Sequence, residues 1–346
     1  MTGEQAGEQV GDRAGHVEGG ATVPSARGSA ARPTAKVTVI GAGAVGATLA
    51  YAVLTRGAAR EVVLHDIDTA KVRAQALDLA HGIQFMPMAH VVGTDDLEAC
   101  AGSDVVVVTA GAKQQPGQTR LDLAARTVGL MRTLMPRLAA IAPDAVYLMV
   151  TNPVDVVTYA ALRYSGLPRA QVIGSGTVLD SSRFRLLVAQ HVGVAVQNVH
   201  AYVVGEHGDT AVPLWSSATV GGVPVLDLEP LDGRPPLTAA DRDAIGHDVV
   251  HAAYEIIAGK GATSYAIGMA GSRVVEAVVN DEHRVMPVSS LVDDYRGIGD
   301  VCLSVPTVVS HAGAGSLLPT PMSDAELAAL RHSAEALRET ARQSGL

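Results

Sequence analysis

A glycine cluster between two regular segments constrains the fold of this chain more than any other feature. The segment GAGAVG at 41–46 directly follows the β-branched run 36–40 and opens a helical pattern. In a G-x-G-x-x-G turn the first glycine allows the tight turn, the second lets the backbone approach a pyrophosphate, and the third lets helix and strand pack closely. Free N–H groups at the start of the helix then bind phosphate. The predicted cofactor contacts in this segment are Gly41, Gly43, Val45 and Gly46.

An acidic residue follows the second predicted strand, 61–65. Asp66 lies about as far from the glycine cluster as the acid that binds the adenosine ribose in such sites. Its carboxylate accepts hydrogen bonds from ribose hydroxyls and, together with Asp68, repels a 2′-phosphate, so NAD is favoured over NADP as the cofactor. A strand-end acid that is merely solvated is the alternative. Lys71, in the first turn of the next helix, is a weaker candidate for a cofactor contact.

Strand and helix patterns alternate through the first half of the chain, and buried runs such as 105–109 are continuously apolar. This alternation predicts an α/β fold with a Rossmann-type doubly wound parallel sheet. The predicted strands are 36–40, 61–65, 105–109 and 145–150, and the predicted helices are 44–56, 69–81 and a segment ending near 140, which follows a polar loop at 111–120.

The pattern changes after about residue 166 and predicts an α+β substrate domain. Its predicted helices are 177–190, 239–258, 264–279 and 324–342, the last with Ser323 as N-cap, and its predicted strands are 200–204, 212–215, 284–291 and 301–305. The predicted division is therefore a tail at 1–34, a dinucleotide-binding domain at 35–166 and a catalytic domain at 167–346. The tail is rich in Gly, Ala, Glu and Ser without apolar periodicity, which predicts disorder.

Charge and composition exclude several classes of protein. The net charge of −9 argues against a nucleic-acid surface, and no apolar run is long enough to span a bilayer. The two cysteines, Cys100 and Cys302, lack metal-ligand spacing and are too few for a disulfide framework, so we predict no metal site and a reduced, cytoplasmic location.

Three groups of residues match the needs of hydride transfer to a 2-oxo acid, which requires a proton donor and positive groups for the carboxylate and the carbonyl oxygen. His207 lies between glycines after an apolar run, and Asp180 and Arg183 share one side of a helix at spacing i, i+3. Arg120 ends the polar loop, from which it could polarise the carbonyl. A solvated histidine and an ordinary helical ion pair are the alternatives that spacing alone leaves open.

Five segments in the same order resemble those of the L-lactate dehydrogenases and the related malate dehydrogenases. They are GAGAVG at 41–46, GAKQQPGQTRLDL at 111–123, VTNPVD at 150–155, GSGTVLDSSRFR at 174–185 and GEHGDT at 205–210. The resemblance extends from about Lys36 to the final helix, and it implies an NAD-dependent enzyme that acts on a small 2-oxo or 2-hydroxy acid.

The resemblance also implies roles for individual residues. His207 would be the proton donor and acceptor, Asp180 its partner, Arg183 the carboxylate-binding residue and Arg120 a carbonyl-polarising residue on a closing loop. Further expected contacts with the substrate or cofactor are Asn152 with both, Thr263 with the substrate, and Gly111, Ala112, Val150 and Ser175 with the cofactor.

Gln114 distinguishes lactate from malate enzymes within this resemblance, because the malate enzymes carry arginine there. A neutral glutamine would leave the second carboxylate of oxaloacetate without a counter-charge. The expected reaction is therefore the interconversion of pyruvate and L-lactate. A dehydrogenase of the L-2-hydroxyisocaproate or malate type and a non-catalytic NAD-binding redox sensor are the alternatives.

Two further residues match the effector site of bacterial lactate dehydrogenases that fructose 1,6-bisphosphate activates. Arg185 lies two residues beyond Arg183, on the opposite side of the helix, and His200 precedes His207 by seven residues. The resemblance implies that Arg185 and His200 bind the phosphates of this activator across an interface, and that the chain forms a homotetramer.

Overall fold

The computed structural model describes residues 35–111 and 120–346. Within them the helices are α1 (Ala44–Arg56), α2 (Thr69–His81), α3 (Arg120–Ile141), α4 (Val154–Ser165), α5 (Val178–Val192), α6 (Ala239–Lys260), α7 (Tyr265–Val279) and α8 (Asp324–Gln343). The strands are β1 (Lys36–Ile40), β2 (Glu61–His65), β3 (His90–Thr94), β4 (Val105–Val108), β5 (Val146–Met149), β6 (Val172–Gly174), β7 (Val199–His200), β8 (Val203–Val204), β9 (Val212–Pro213), β10 (Thr219–Val220), β11 (Val223–Pro224), β12 (Arg284–Met286), β13 (Ser289–Val292), β14 (Val301–Ser304), β15 (Thr307–Ser310) and β16 (Gly313–Leu317).

One eight-stranded sheet organises the molecule, in the order β14-β13-β6-β5-β4-β1-β2-β3. Strands β1 to β6 are parallel to one another, in the order of a doubly wound dinucleotide-binding sheet. The order reverses between β1 and β4, which is where such sheets bind ligands beyond the carboxyl ends of the strands. The predicted α/β class, with a doubly wound sheet, is confirmed.

Helices cover both faces of this sheet. One core cluster packs apolar side chains of α3, α4 and α8 against the strands, and another packs those of α1, α2 and α7. The four valines of β4 are fully buried between these layers, as expected for a central parallel strand. Since α7 and α8 come from the second half of the chain, both halves contribute to each of these two core clusters.

The sequence prediction missed the helix α4 and the strands β3, β6, β10, β11, β15 and β16. It also merged two pairs of strands, each into one predicted strand. The predicted strand 284–291 is two strands, because Pro287 has no N–H to continue a ladder. Strand β12 pairs with β15 in a separate sheet, whereas β13 joins the main sheet antiparallel to β6. The predicted strand 200–204 likewise divides, into β7 and β8, which belong to different small sheets.

The prediction for the final helix is confirmed. Ser323 caps α8, its hydroxyl accepting the N–H of Glu326 while the Glu326 carboxylate accepts the N–H of Ser323. Leu330, Ala334 and Leu337 form its buried stripe at helical spacing.

The predicted tail, 1–34, lies outside the described residues, and the predicted division near residue 166 stays a prediction. In the described part of the chain no helix is long and apolar enough to cross a membrane. Cys100 and Cys302 are both buried and unpaired.

Candidate active site

The glycine cluster forms a tight turn between β1 and α1. Gly41 has a φ of +103°, and a Cβ on Gly46 would lie 1.9 Å from the carbonyl oxygen of Gly41, so both positions exclude any side chain. Gly43 differs, since a Cβ there would meet nothing within 4 Å. Protein packing does not require a glycine at 43, but the close approach of a pyrophosphate would.

The N-terminus of α1 is correspondingly open. Its N-cap residue, Gly43, provides no side-chain hydrogen bond, and its first turn holds no acidic residue. The first N–H groups of α1 therefore stay available for a phosphate, with the positive end of the helix dipole behind them. Val45 is half-buried against the core cluster that contains α1. These features fit the pyrophosphate of NAD.

Asp66 is held beside this turn. Its carboxylate accepts the backbone N–H of Ala42 at 2.8 Å and of Asp68 at 3.0 Å, and it pairs with the Lys71 ammonium at 2.7 Å. Burial opposes its charge, but Lys71 and the two N–H groups hold the pKa of Asp66 below its ordinary value. Lys71, the weaker candidate for a cofactor contact, is therefore paired with Asp66, the stronger candidate.

The other predicted cofactor residues lie at the carboxyl ends of neighbouring strands. The N–H of Val150 bonds to Val108 and that of Ser175 to Met149, which extends the ladders past β5 and β6. Gly111 follows β4, and a Cβ there would lie 2.0 Å from the Thr151 hydroxyl. Asn152 follows β5, is exposed, and precedes a cis bond to Pro153.

A buried carboxylate joins the predicted proton donor to the predicted carboxylate-binding residue. One oxygen of Asp180 lies 2.6 Å from Nδ1 of His207, and the other lies 2.7 Å from Nη1 of Arg183. The exposed fraction of the side chain is 6% for Asp180, 13% for Arg183 and 23% for His207. Helix α5 supplies Asp180 and Arg183 one turn apart, and Asp180 reaches the histidine loop.

The electrostatics of this cluster favour a charged imidazole. Burial opposes the charge, but the Asp180 carboxylate outweighs it, and the pKa of His207 lies above its ordinary value. Nε2 of His207 makes no hydrogen bond within the described residues. The arrangement therefore presents a proton at Nε2, beside a guanidinium, and can protonate an oxygen of an anionic substrate.

Four elements hold the loop that carries His207, through residues that sequence reasoning missed. Gly205 exchanges two backbone hydrogen bonds with Ser304 of β14, and the N–H of Glu206 donates to Ser333 of α8 at 2.8 Å. The other two links run from His207 N–H to Asp155 of α4 at 2.8 Å and from the Tyr254 hydroxyl of α6 to Asp209 at 2.8 Å. Only Asp155 carried a sequence signal, its place in the VTNPVD segment.

Three predicted substrate residues are less fully defined. Thr263 is half-buried in the connection between α6 and α7. Arg120 begins α3, and its side chain, like Ala112 and Gln114, lies outside the described residues.

The predicted effector residues lie near each other in the second half of the chain. Nε of Arg185 donates to the carbonyl oxygen of Ala201 at 2.8 Å, and its guanidinium lies over the Tyr202 ring at 5.2 Å. His200, adjacent to Ala201, is exposed. Within the described residues Arg185 makes no ion pair, and burial, reinforced by nearby Arg284, lowers its pKa.

Within residues 35–111 and 120–346, no group of three or more His, Cys, Asp or Glu side chains is arranged to hold a metal ion.

Comparison with known proteins agrees with this geometry. The family profile for the lactate/malate dehydrogenase NAD binding domain matches residues 35–174, and that for the alpha/beta C-terminal domain matches residues 177–344. An L-lactate dehydrogenase of Bifidobacterium animalis subsp. lactis is 54% identical over 91% of this chain and 98% of its own length. An L-lactate dehydrogenase from a Synechococcus strain is 47% identical over 88% of this chain and 97% of its own length. The crystal structure of a minor L-lactate dehydrogenase from Enterococcus mundtii superimposes with a TM-score of 0.85 at 37% identity, over 89% of this chain and 98% of that one.

Fold, open glycine turn and histidine–carboxylate pair together define an NAD-dependent dehydrogenase. Its two matched domains cover nearly all of the described residues, and the chain belongs to the lactate/malate dehydrogenase family.

Replacing Asp180 by Asn should lower the pKa of His207 by about one unit or more, because the carboxylate that stabilises the imidazolium is lost. The measurement is an NMR titration of isotopically labelled histidine, with the His207 signal assigned from its absence in His207→Asn. Asp248→Asn, which neutralises an exposed carboxylate beside His247, is the control and should leave the His207 midpoint unchanged. An equal His207 titration midpoint in Asp180→Asn and in the unmodified protein would show that Asp180 does not raise the pKa of His207.

Proposed function

We propose that this chain interconverts pyruvate and L-lactate, with hydride transfer between C2 of the substrate and the nicotinamide of NAD. The observation that carries the proposal is the Asp180 carboxylate bound by His207 at 2.6 Å and by Arg183 at 2.7 Å. In this arrangement a single carboxylate holds both a proton donor, His207, and a guanidinium that can bind an anion, Arg183. Relatives named L-lactate dehydrogenase, one of them 54% identical over 91% of the chain, support it.

In the direction of pyruvate reduction, NADH held along the glycine turn would supply the hydride, and His207 would supply the proton. The imidazolium donates from Nε2 to the carbonyl oxygen, and Asp180 holds the ring through Nδ1 and stabilises its charge before the transfer. Arg183 uses one nitrogen on Asp180, which leaves its remaining N–H groups for the substrate carboxylate. In the oxidation of lactate, His207 must start neutral and accept the proton.

The remaining predicted contacts complete this proposal. Arg120 would polarise the carbonyl, Asn152 would donate to the reacting oxygen, and Thr263 would line the pocket. The cofactor would lie along the glycine turn, Asp66 and the strand ends, with contacts at Gly41, Gly43, Val45, Gly46, Lys71, Gly111, Ala112, Val150, Asn152 and Ser175.

The preference for pyruvate rests on Gln114, whose neutral amide would not balance a second substrate carboxylate. This argues against oxaloacetate as the substrate, whereas larger apolar 2-oxo acids stay open as the second candidate.

We further propose that fructose 1,6-bisphosphate activates the enzyme through Arg185 and His200, in a homotetramer. The proposal is supported by the lack of a carboxylate partner for Arg185 among the described residues, whereas the neighbouring Arg56, Arg273 and Arg284 all pair with glutamates. An effector phosphate would supply the missing negative charge. Where two subunits bring such cations together, the ligand would favour the assembled state and raise substrate affinity by linkage.

A cytoplasmic location is the remaining part of the proposal. Both cysteines are buried thiols without a disulfide, which suits a reducing compartment.

Replacing His207 by Asn should lower the turnover of pyruvate by roughly 10²-fold or more, the usual scale of general acid catalysis. NADH binding, followed by fluorescence, should be nearly unchanged. His332→Asn, on the exposed face of α8, is the matched control and should keep full turnover. Loss of NADH binding together with folding in His207→Asn would instead indicate a structural histidine.

Replacing Gln114 by Arg should shift preference from pyruvate toward oxaloacetate, since the guanidinium would pair with the second carboxylate. The ratio of the two kcat/KM values should change by about 3 kcal/mol, or roughly 10²-fold. Steady-state assays with pyruvate, oxaloacetate and 4-methyl-2-oxopentanoate measure it. An unchanged ratio of the two kcat/KM values would show that Gln114 does not contact the substrate side chain.

At pH 6, millimolar fructose 1,6-bisphosphate should lower the KM for pyruvate, because its phosphates would balance the cations that two subunits bring together. Pyruvate saturation curves with and without the sugar bisphosphate test this. Identical curves at pH 6, or undiminished activation after Arg185 and His200 are both replaced by Ala, would contradict the proposal.

A further inference from the structure

Two histidines on the outer face of α6 have no part in the proposed reaction. His247 and His251 lie one helical turn apart, at spacing i, i+4, and both are exposed. Their rings are stacked, with centroids 4.0 Å apart and planes 11° from parallel. On its other side α6 buries Ile245 and Val249 in the core. The two imidazoles therefore face solvent together, away from the packed side of the helix.

The surroundings of the two rings leave the same nitrogen open on each. Nδ1 of His251 lies 2.9 Å from the carbonyl oxygen of His247. That oxygen can only accept, so the neutral ring carries its proton on Nδ1 and its lone pair on Nε2. Nδ1 of His247 faces the Asp248 carboxylate at 3.4 Å, and neither Nε2 has a hydrogen-bond partner in the part of the chain that the structure describes. Metal-binding histidines have this arrangement, with an oxygen acceptor at one nitrogen and the other nitrogen open.

Acidic side chains flank the histidine pair along α6. Asp243 precedes His247 by four residues and Glu255 follows His251 by four, so all four side chains form one stripe along the helix. Both carboxylates are exposed. Their charge attracts cations to this part of the surface. The stripe therefore favours a cation as ligand over a phosphate or another anion.

We propose that His247 and His251 bind a divalent transition-metal ion of the Zn²⁺ type through their Nε2 atoms. Imidazole nitrogen suits Zn²⁺, Ni²⁺ and Cu²⁺, whereas Mg²⁺ and Ca²⁺ prefer oxygen ligands. Two nitrogens bound to one ion at about 2.1 Å lie roughly 3 Å apart, so the stacked rings need only a small tilt. A pair is smaller than the ligand set of a closed metal site, and water completes the coordination. The sequence prediction of no metal site rests on the cysteines and does not consider this pair.

The ion would join two successive turns of α6 beside the link to the loop that carries His207. The Tyr254 ring lies 5.8 Å from the ring of His251, and its hydroxyl donates to Asp209 at 2.8 Å. A ligand that binds only where His247 and His251 are helical stabilises that helical state by mass action. Metal binding should therefore reduce the local opening of α6.

Zn²⁺ titrated calorimetrically into the full-length protein, without an affinity tag, should bind at the pair with micromolar affinity. His247→Ala and His251→Ala should each weaken this binding by about 10-fold or more, since loss of even an outer-shell partner has that effect. Both variants should fold, because alanine favours a helix more than histidine does. His251→Ala combined with Ala252→His keeps the number of histidines but removes the i, i+4 spacing, and it should bind as weakly as His251→Ala. His332→Ala, at an exposed position of α8, is the control and should bind Zn²⁺ like the unmodified protein.

Amide hydrogen exchange locates the ion independently of enzymatic activity. Zn²⁺ should slow exchange within 239–260 in the unmodified protein but not in His247→Ala or His251→Ala, and Mg²⁺ at the same concentration should have no effect. Absence of Zn²⁺ binding below millimolar concentration would overturn the proposal. Equal Zn²⁺ affinity in the unmodified protein and in either alanine variant, or equal slowing of exchange in α6, would also overturn it, because the ion would then bind elsewhere.

Discussion

The Asp180 carboxylate is the interaction on which the site depends. A carboxylate with only 6% of its side chain exposed is unfavourable unless both oxygens are balanced, and here His207 and Arg183 each take one of them. Its place in the first turn of α5 adds the positive end of the helix dipole. One charge therefore orients the imidazole of His207, raises its pKa and restrains the neighbouring guanidinium.

The loop carrying His207 is rigid because its attachments come from different directions. A strand, β14, holds Gly205, and helices α8, α4 and α6 hold Glu206, His207 and Asp209. A proton donor must stay within a fraction of an ångström of its productive position, and loops achieve this only when surrounding elements fix them. The loop that carries His207 is thereby held as firmly in place as the strand and helices around it.

The main sheet explains how both halves of the chain reach this loop. Strands β13 and β14 extend the parallel sheet in the antiparallel sense, and β14 bonds directly to Gly205. Helices α7 and α8 cover opposite faces of the same sheet. The parallel strands and the histidine loop therefore belong to one packed framework, which sets the position of His207 relative to the carboxyl ends of those strands.

Local pattern was sufficient for the glycine turn, for the place of Asp66 after β2 and for putting Asp180 and Arg183 on one side of a helix, because each depends on residues within one strand–turn–helix unit or one helical turn. The same holds for the Ser323 cap of α8. The division of 284–291 into two strands of different sheets, and the links of the histidine loop to Asp155 and Ser333, could not be predicted. Those links join residues 52 and 127 positions apart. Such pairs are decided by how the sheet is ordered and how the helices cover it, and periodicity, being local, carries no information about that order.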